Sequence, residues 1–146
     1  MLSNTCKYGI RAVTYIASRP KGKGNVGLKE IAEALDLPTP FLAKILQLLA
    51  RQKILGSTKG PHGGFVLQKD PKQIRLYDIV KAIDGDDLFT YCAIHNHTCS
   101  CSDKEKAPCL LHDEYTKIRV NLARLFTKKT IANVVKSLNG SGEIVI

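Results

Sequence analysis

Several features that define other classes of protein are missing from this 146-residue sequence. No apolar run approaches the ~20 residues that a membrane-spanning helix needs. The first residues lack the basic-then-apolar order of a signal peptide, because Lys7 and Arg11 interrupt the apolar stretch. We therefore expect a cytoplasmic protein with no membrane partner, whose cysteines stay reduced or bind a metal.

The motifs of common enzymes are absent as well. The sequence has no Gly-rich phosphate-binding loop, no serine nucleophile elbow and no HExxH zinc motif. A thiol enzyme built on Cys109 and His112 would need a substrate pocket that a chain of this length, folded into short helices, scarcely offers. The sequence predicts a protein that is not an enzyme, with a small thiol enzyme and a zinc-binding interaction module as alternatives.

Acidic residues are scarce in the first half of the chain. Residues 1–75 contain 13 Lys and Arg but only 4 Asp and Glu, whereas residues 76–146 contain 9 of each kind. The whole formal charge of +9 therefore belongs to the first half. This asymmetry indicates a polyanionic partner, and nucleic acid is the usual one. A solvated basic surface without a partner is the alternative.

Residues 28–51 have the pattern of two amphipathic helices joined by a short turn. Thr39-Pro40 reads as an N-cap followed by a proline at the first helical position. The second helix buries an apolar set and exposes a polar-basic one: Phe41, Leu42, Ile45, Leu46 and Leu49 face inward, while Lys44, Gln47 and Arg51 face outward beside Ala43. This arrangement is typical of a DNA-binding helix-turn-helix.

Two strand-like segments, Ile54-Leu55 and 65–67, follow the second helix. Three glycines and a proline within residues 57–64 predict a hairpin, which after a helix-turn-helix is a wing whose tip carries Lys59 and His62. The candidate DNA-binding residues are Lys7, Thr39, Pro40, Ala43, Lys44, Gln47, Arg51, Lys59 and His62.

Apolar residues recur at spacings of 4, 3, 4 and 3 near the C-terminus, at Leu111, Tyr115, Ile118, Leu122 and Leu125. This heptad seam packs either on its own domain or against a second copy of the chain, and its narrow stripe favours a homodimer. A dimer also suits a palindromic DNA operator, which is read twice. We expect mostly α structure with a small β wing, namely a winged helix-turn-helix followed by a long dimerisation helix.

Capping residues predict where the first and last helices of the chain begin and end. Ser3 or Thr5 can cap a first helix that ends before Pro20. Thr130 can cap a last short helix that Gly140 closes. We divide the chain into a DNA-binding domain (1–85), an irregular cysteine-rich sensing loop (86–109), and a region with the dimerisation helix and the last helix (110–146).

Four of the five cysteines lie between residues 92 and 109. The candidate metal ligands are Cys92, Cys99, Cys101, Cys109 and His112. Thiolates in a polar loop suit soft metals, and three thiolates with one variable ligand suit a [2Fe–2S] or [4Fe–4S] cluster. The missing CxxC pairs argue against zinc. Thiol or disulfide sensing without any cofactor is the other alternative, and Cys6 is expected to be structural.

Four segments resemble the Rrf2 family of bacterial regulators, which includes IscR-, NsrR- and CymR-type proteins: SNTCKYGIRAVTYIA, LKEIAEALDLPTPFLAKILQLLARQKIL, STKGPHGGFVL and CAIHNHTCSCSDKEKAPCLLHDEY. The resemblance implies a winged-helix dimer with crossed long helices that senses a signal, in some members through an iron–sulfur cluster. Other relatives with this fold carry no cluster.

Position by position, the resemblance makes Cys92 the first cluster ligand, Cys109 the third and His112 the residue that completes the set in some members. The middle ligand is Cys99 or Cys101, because this sequence has two cysteines where the family usually has one. In other members a side chain from the partner's first helix completes the cluster. Lys7 stands in that neighbourhood here, and a cation is an unsuitable ligand.

Overall fold

The computed structural model describes residues 1–20, 22, 24–94 and 110–141. Within these ranges the elements are, in chain order, α1 (Asn4–Ser18), α2 (Leu28–Leu35), α3 (Thr39–Arg51), β1 (Leu55–Thr58), β2 (Gly64–Leu67), α4 (Leu76–Asp84), α5 (Asp87–Thr90), α6 (His112–Lys128) and α7 (Ile131–Ser141). This mostly helical fold with one small sheet confirms the predicted class. In the described part of the chain no helix is both long and apolar enough to span a membrane.

Helix α1 is capped by Ser3 and forms one wall of the core. The backbone N–H of Cys6 donates to Ser3 Oγ over 3.0 Å, so Ser3 is the N-cap and Thr5 lies inside the helix. Gly9 is buried where α4 crosses, and a Cβ there would lie 2.3 Å from the side chain of Ile83. The small residue therefore lets α1 and α4 approach closely.

The turn between α2 and α3 is as short as the sequence predicts. Asp36 ends α2 with a left-handed backbone (φ 52°), and the N–H of Leu37 returns to the carbonyl of Ala32. The expected N-cap of α3 was wrong by one residue. The carbonyl of Pro38 accepts from the N–H groups of Phe41 and Leu42, so Pro38 is the cap and Thr39 is the first helical residue.

The wing is a hairpin with a third segment paired to it. Strands β1 and β2 are antiparallel, with Leu55 opposite Leu67 at the base and Thr58 opposite Gly64 at the tip. Val26, in the loop before α2, exchanges two backbone hydrogen bonds of 2.9 Å with Phe65. That pairing was not predicted from the sequence, because one residue carries no alternation pattern.

Helix α4 is followed by Gly85 (φ 78°), and the next segment, predicted to be irregular, begins with a helical turn. In α5 the carbonyl of Asp86 accepts from the N–H of Phe89 over 2.8 Å. The ring of Phe89 packs between those of Tyr77 in α4 and Phe126 in α6, with centroid distances of 5.0 and 5.8 Å. Aromatic packing thus stabilises a helix too short to show periodicity.

Helix α7 returns to the first half of the chain. Ile131 is fully buried, and Val135 packs against the same core as α1. Thr130 caps the helix as predicted, because its hydroxyl accepts from the N–H of Asn133. The helix continues through Gly140 to Ser141, one residue beyond the predicted end. The threefold division of the chain stays a prediction.

Candidate DNA-binding surface and cysteine segment

The outer face of α3 carries the predicted polar-basic strip. Lys44, Gln47 and Arg51 are exposed at spacings of three and four residues, and Pro40 is exposed one turn earlier. Thr39 and Ala43, four residues apart, are half-buried along one edge of the strip. The opposite face is held by Leu42, Ile45, Leu46 and Leu49, which lie in the core. The structure brings the α3 candidates to one surface, and their contact with DNA stays a prediction.

The tip of the wing is a tight turn that carries Lys59 and His62, both exposed. The N–H of Gly63 donates to the carbonyl of Gly60 over 2.9 Å, and a Cβ on Gly63 would lie 2.3 Å from the carbonyl oxygen of Thr58. The amide of Asn25 donates to the carbonyl of His62. The tip is therefore fixed to the loop before α2, through a residue that sequence reasoning missed.

The start of α1 lies beside the start of α3. The ring of Tyr8 meets that of Phe41 edge to face, with centroids 5.8 Å apart, and Lys7 is exposed next to it. The Arg11 guanidinium stacks 5.7 Å from the Tyr8 ring, and its buried Nε has no hydrogen-bond partner among the described residues. Arg11 is thus a further cation close to α3 that sequence reasoning did not select.

The positive charge of the candidate surface is not neutralised within the described ranges. There the ion pairs join Arg19 to Glu30, Lys81 to Asp86 and Lys117 to Glu114, all away from the wing tip and the outer face of α3. Cations without an acidic partner attract phosphate. The charge asymmetry seen in the sequence therefore becomes a basic surface in the fold.

The cysteine segment is described only at its two ends. Cys92 is half-buried just after α5, and His112 is buried as the first residue of α6. Cys99, Cys101 and Cys109 lie outside the described residues. Within residues 1–94 and 110–141, as far as they are described, no group of three His, Cys, Asp or Glu side chains can hold a metal. The donor types along the segment do fit an iron–sulfur cluster.

A buried arginine connects the start of this segment to the long helix. Arg119 in α6 is 7% exposed and donates to the carbonyls of Thr90 and Tyr91, the two residues that precede Cys92. It also donates to Thr116 Oγ1 over 3.0 Å. Sequence reasoning missed this residue, because its partners lie 28 and 29 positions away along the chain.

Cys6 lies apart from the segment, as expected for a structural residue. Its side chain is fully buried in α1. Burial, with a smaller contribution from the nearby Asp84 carboxylate, which also accepts from Ser3, raises the pKa of the Cys6 thiol to about 12. The thiol is therefore protonated at neutral pH and a poor nucleophile or metal ligand.

The predicted heptad seam on α6 is only partly covered by the described part of its own chain. Leu111, Ile118 and Leu125, spaced by seven residues, are 44%, 60% and 50% exposed, while Tyr115 and Leu122 are half-buried. The other side of α6 contacts α4 and α5. The geometry leaves a continuous apolar stripe facing outward.

Comparison with known proteins agrees with this architecture. The Rrf2 family, described as iron-dependent transcriptional regulators, matches residues 2–137. A protein of Aquifex aeolicus named as an HTH-type transcriptional regulator is 30% identical over 135 residues, which cover 92% of this chain and 91% of that protein. The HTH-type regulator IscR of Sodalis glossinidius is 26% identical over 136 residues, covering 93% of this chain and 79% of that protein.

Solved structures share the fold. CymR, the global cysteine regulator of B. subtilis, matches with a TM-score of 0.78 and 20% identity over 94% of this chain and 97% of its own. IscR of T. potens matches with a TM-score of 0.75 and 22% identity over 98% of this chain and 91% of its own. The relatives are regulators, so the predicted absence of enzyme function is confirmed. The chain is a winged-helix, DNA-binding transcriptional regulator and belongs to the Rrf2 family.

Proposed function

We propose that this regulator binds a palindromic double-stranded DNA operator as a homodimer. The observation that carries the proposal is the exposed strip of Lys44, Gln47 and Arg51 on α3, beside a wing that presents Lys59. In winged helix-turn-helix proteins such a helix lies in the major groove. Gln47 suits a paired contact to adenine, whereas the three cations suit guanine or phosphate.

The remaining candidates surround this strip, and all of them except Ala43 contact the DNA backbone. Lys7 and Arg11 reach a phosphate beside the start of α3, and His62 reaches another beside the wing. Thr39 and Pro40 bring the positive end of α3 to the backbone, where the N–H of Thr39 can donate to a phosphate and Pro40, which has no N–H, contributes only surface. The Ala43 methyl group is suited instead to a thymine methyl in the major groove. The phosphate contacts of the other residues fix the register of α3.

The homodimer forms through α6. Its stripe of Leu111, Ile118 and Leu125 is apolar and outward-facing, and pairing with a second copy removes it from water. A twofold axis between two α6 helices presents two α3 helices to one face of the duplex. Half-sites of the operator are then expected one helical turn apart, about 34 Å between their centres.

Operator selection from a randomised duplex library tests the DNA contact. Wild-type protein should select an inverted repeat, and Gln47→Ala should relax the preference at one base pair of each half-site by about 1–3 kcal/mol. Affinity for non-specific DNA should hardly change. Gln52→Ala is the matched control, since Gln52 is exposed just after the last residue of α3. An unchanged specificity ratio in Gln47→Ala would remove that residue from base reading.

We further propose that the segment between Cys92 and Cys109 senses redox or iron–sulfur status, or a related small signal. An iron–sulfur cluster, when bound, supplies a redox state that depends on its ligands. Cys92, Cys109, His112 and either Cys99 or Cys101 would hold it. Two contacts with α6, the helix assigned to the dimer, support this proposal. Arg119 of α6 donates to the backbone just before Cys92, and His112 is the first residue of α6.

Arg119 is the residue through which the segment acts on the dimer. Its guanidinium holds the backbone just before Cys92, while its neighbour Ile118 is exposed in the seam. A change in the backbone at Tyr91 therefore moves α6 at the centre of the proposed interface. The spacing of the two α3 helices, and with it the operator affinity, changes as a result.

Anaerobic purification followed by absorption spectroscopy and iron and zinc analysis tests the sensing site. Cys92→Ala and Cys109→Ala should abolish visible absorption, only one of the Cys99 and Cys101 substitutions should do so, and Cys6→Ala is the control that keeps it. Colourless, iron-free protein whose operator affinity survives all four substitutions would rule the cluster out. Zinc in its place would indicate the interaction module, and a response to thiol oxidation alone would indicate cluster-free sensing.

Substitution of Arg119 tests whether this residue links the state of the cysteine segment to operator affinity. Arg119→Lys keeps the charge but loses the fork that reaches two carbonyls, so operator affinity should stop following the state of the cysteines while the dimer persists. Arg124→Lys is the matched control, because Arg124 is exposed on the same helix. If the operator affinity of Arg119→Lys still follows the state of the cysteines as in wild type, Arg119 does not carry this link.

A further inference from the structure

A polar pocket of about 530 Å³ opens at the base of the wing, separate from both surfaces described above. It is lined by Lys69, Lys72, Gln73, Arg75, Thr127 and Thr130. The loop after β2 supplies four of these residues, while the end of α6 and the start of α7 supply the two threonines. Its volume falls in the range of small-molecule sites.

The walls of the pocket are joined by backbone hydrogen bonds. The N–H of Leu76 donates to the carbonyl of Lys129, and the N–H of Ile131 donates to the carbonyl of Ile74, both over 2.9 Å. Arg75 and Thr130 pair as an isolated bridge. These bonds hold the cationic loop against the α6–α7 junction, so the pocket is a fixed feature of the fold.

The pocket concentrates positive charge that has no acidic partner in the described part of the chain. Lys69, Lys72 and Arg75 take part in none of the ion pairs found there. The nearest acidic residues in sequence each accept a backbone hydrogen bond: Asp70 accepts from the N–H of Lys72, and Asp78 accepts from the N–H of Arg75. Three cations that line one pocket and form no direct ion pair repel one another, and a bound anion relieves this repulsion.

The remaining donors also select an anion. The Thr127 hydroxyl donates to the carbonyl of Ala123 over 2.7 Å, and the Thr130 hydroxyl donates to Asn133 Oδ1 over 3.0 Å, so both hydroxyl protons are already engaged. The two ammonium groups, the guanidinium and the amide of Gln73 remain. A ligand must therefore offer several acceptor oxygens, and the planar fork of Arg75 suits phosphate or carboxylate.

We propose that this pocket is an effector site for a small multivalent anion that carries phosphate or several carboxylates. The DNA backbone is a poorer occupant because of where the pocket lies. The wing tip is at the Thr58–Gly64 pair, and the base is at Leu55–Leu67, three residues or roughly 10 Å further along the hairpin. The pocket lies beyond that base and touches α6, so its ligand ties the wing to the proposed dimer helix.

Isothermal titration of the full-length protein without DNA tests the site, with pyrophosphate and citrate as separate probes at 150 mM salt. Saturable binding of at least one probe is expected. The Lys69→Gln, Lys72→Gln double variant should weaken it by about tenfold or more, since two charge-assisted contacts are lost. Lys29→Gln is the matched control, because Lys29 is an exposed lysine on α2 outside the pocket. Which probe binds distinguishes a phosphate ligand from a carboxylate ligand.

Amide chemical shifts supply a second readout that does not depend on affinity. Added anion should shift residues 69–75 and 127–131, and the double variant should lose those shifts. Absence of saturable binding by both probes overturns the proposal, as does equal binding in wild type and the double variant. A double variant that loses only operator affinity would assign these lysines to the DNA and would also overturn it.

Discussion

Lys59 is exposed at the tip of the wing beside Gly60, where little bulk hinders approach to a phosphate. Lys59→Ala should weaken binding to specific and non-specific DNA alike. The slope of log affinity against log salt should fall by about one unit, because one counterion fewer is released. Fluorescence anisotropy at several salt concentrations measures this slope.

The matched control is Lys117→Ala, since Lys117 is exposed on α6 and pairs with Glu114 at 2.8 Å. Its slope should equal that of wild type. Unchanged affinity of Lys59→Ala at every salt concentration would remove Lys59 from the interface. A change in sequence preference instead would place it in the minor groove.

The buried Cys6 thiol is expected to lower the free energy of unfolding as the pH rises above 9. Its pKa is raised from 9.0 to about 12 in the fold, so the unfolded chain loses this proton first as the pH rises. The stabilisation is complete below pH 9 and is lost between pH 9 and 12, with a slope of at most about 1.4 kcal/mol per pH unit.

Denaturant unfolding at pH 7 and at pH 10.5 checks this contribution. The stability difference between wild type and Cys6→Ala should narrow at the higher pH. Val13→Ala truncates another fully buried residue of α1 that has no titratable group, and its cost should stay constant. Equal costs of Cys6→Ala at both pH values would contradict the raised pKa.

The exposure of Lys44, Gln47 and Arg51 on α3 could be predicted from the sequence. Their spacing places them on one face of a helix, independently of how the helix packs in the fold. Arg119 could not be found in that way. Its partners are backbone carbonyls of a distant turn, and a carbonyl carries no signature of residue type. Contacts to backbone are therefore the part of the site that sequence reasoning misses.

At the scale of elements, α6 carries the clearest prediction. Ile118→Glu should give a monomer that keeps the secondary structure, because Ile118 is 60% exposed in the single chain and its charge becomes buried only on pairing. Sedimentation should show half the wild-type mass, and operator binding should be lost although the wing is unchanged.

Val120→Glu is the control on the same helix. Val120 is 50% exposed but lies outside the seam, so this variant should remain a dimer. A tight dimer in Ile118→Glu would show that α6 does not form the interface. A monomer in both variants would show that the contact extends around the helix.

Long periodic elements were predictable and short ones were not. Helices α2 and α3 and the wing follow from apolar spacing and from glycine and proline in the turns. The four-residue α5 and the Val26–Phe65 pairing depend on neighbours far along the chain. The cap of α3 was misplaced because a backbone carbonyl, rather than the Thr39 hydroxyl, accepts the first helical bonds.

For the whole molecule, Ile131→Ala should destabilise the DNA-binding half as well as α7. Ile131 is fully buried in the core that α1 shares, so its truncation should cost about 2–5 kcal/mol. Thermal unfolding measures the loss, and faster amide exchange in α1 should accompany it. Val120→Ala, at an exposed position, should reduce the stability far less. If the amides of α1 stay protected from exchange in Ile131→Ala, α7 and the DNA-binding half unfold separately.

The order of parts along the chain was predictable, but the position of α7 was not. The sequence alone places this helix with the dimerisation region, because the two are neighbours along the chain. The structure packs Val135 against the core that contains α1. Amphipathic periodicity shows which face of a helix is buried but does not show against which element.

The return of α7 to α1 has a consequence for synthesis on the ribosome. The helix-turn-helix and the wing emerge first, yet the core beneath them stays open until Ile131 has left the exit tunnel. A domain whose core is incomplete until a later segment is synthesised exposes apolar surface and is prone to aggregate. A nascent chain stalled before α7 should therefore be cleared by proteases rather than compete for operators, and only chains that include α7 contribute to the regulator pool.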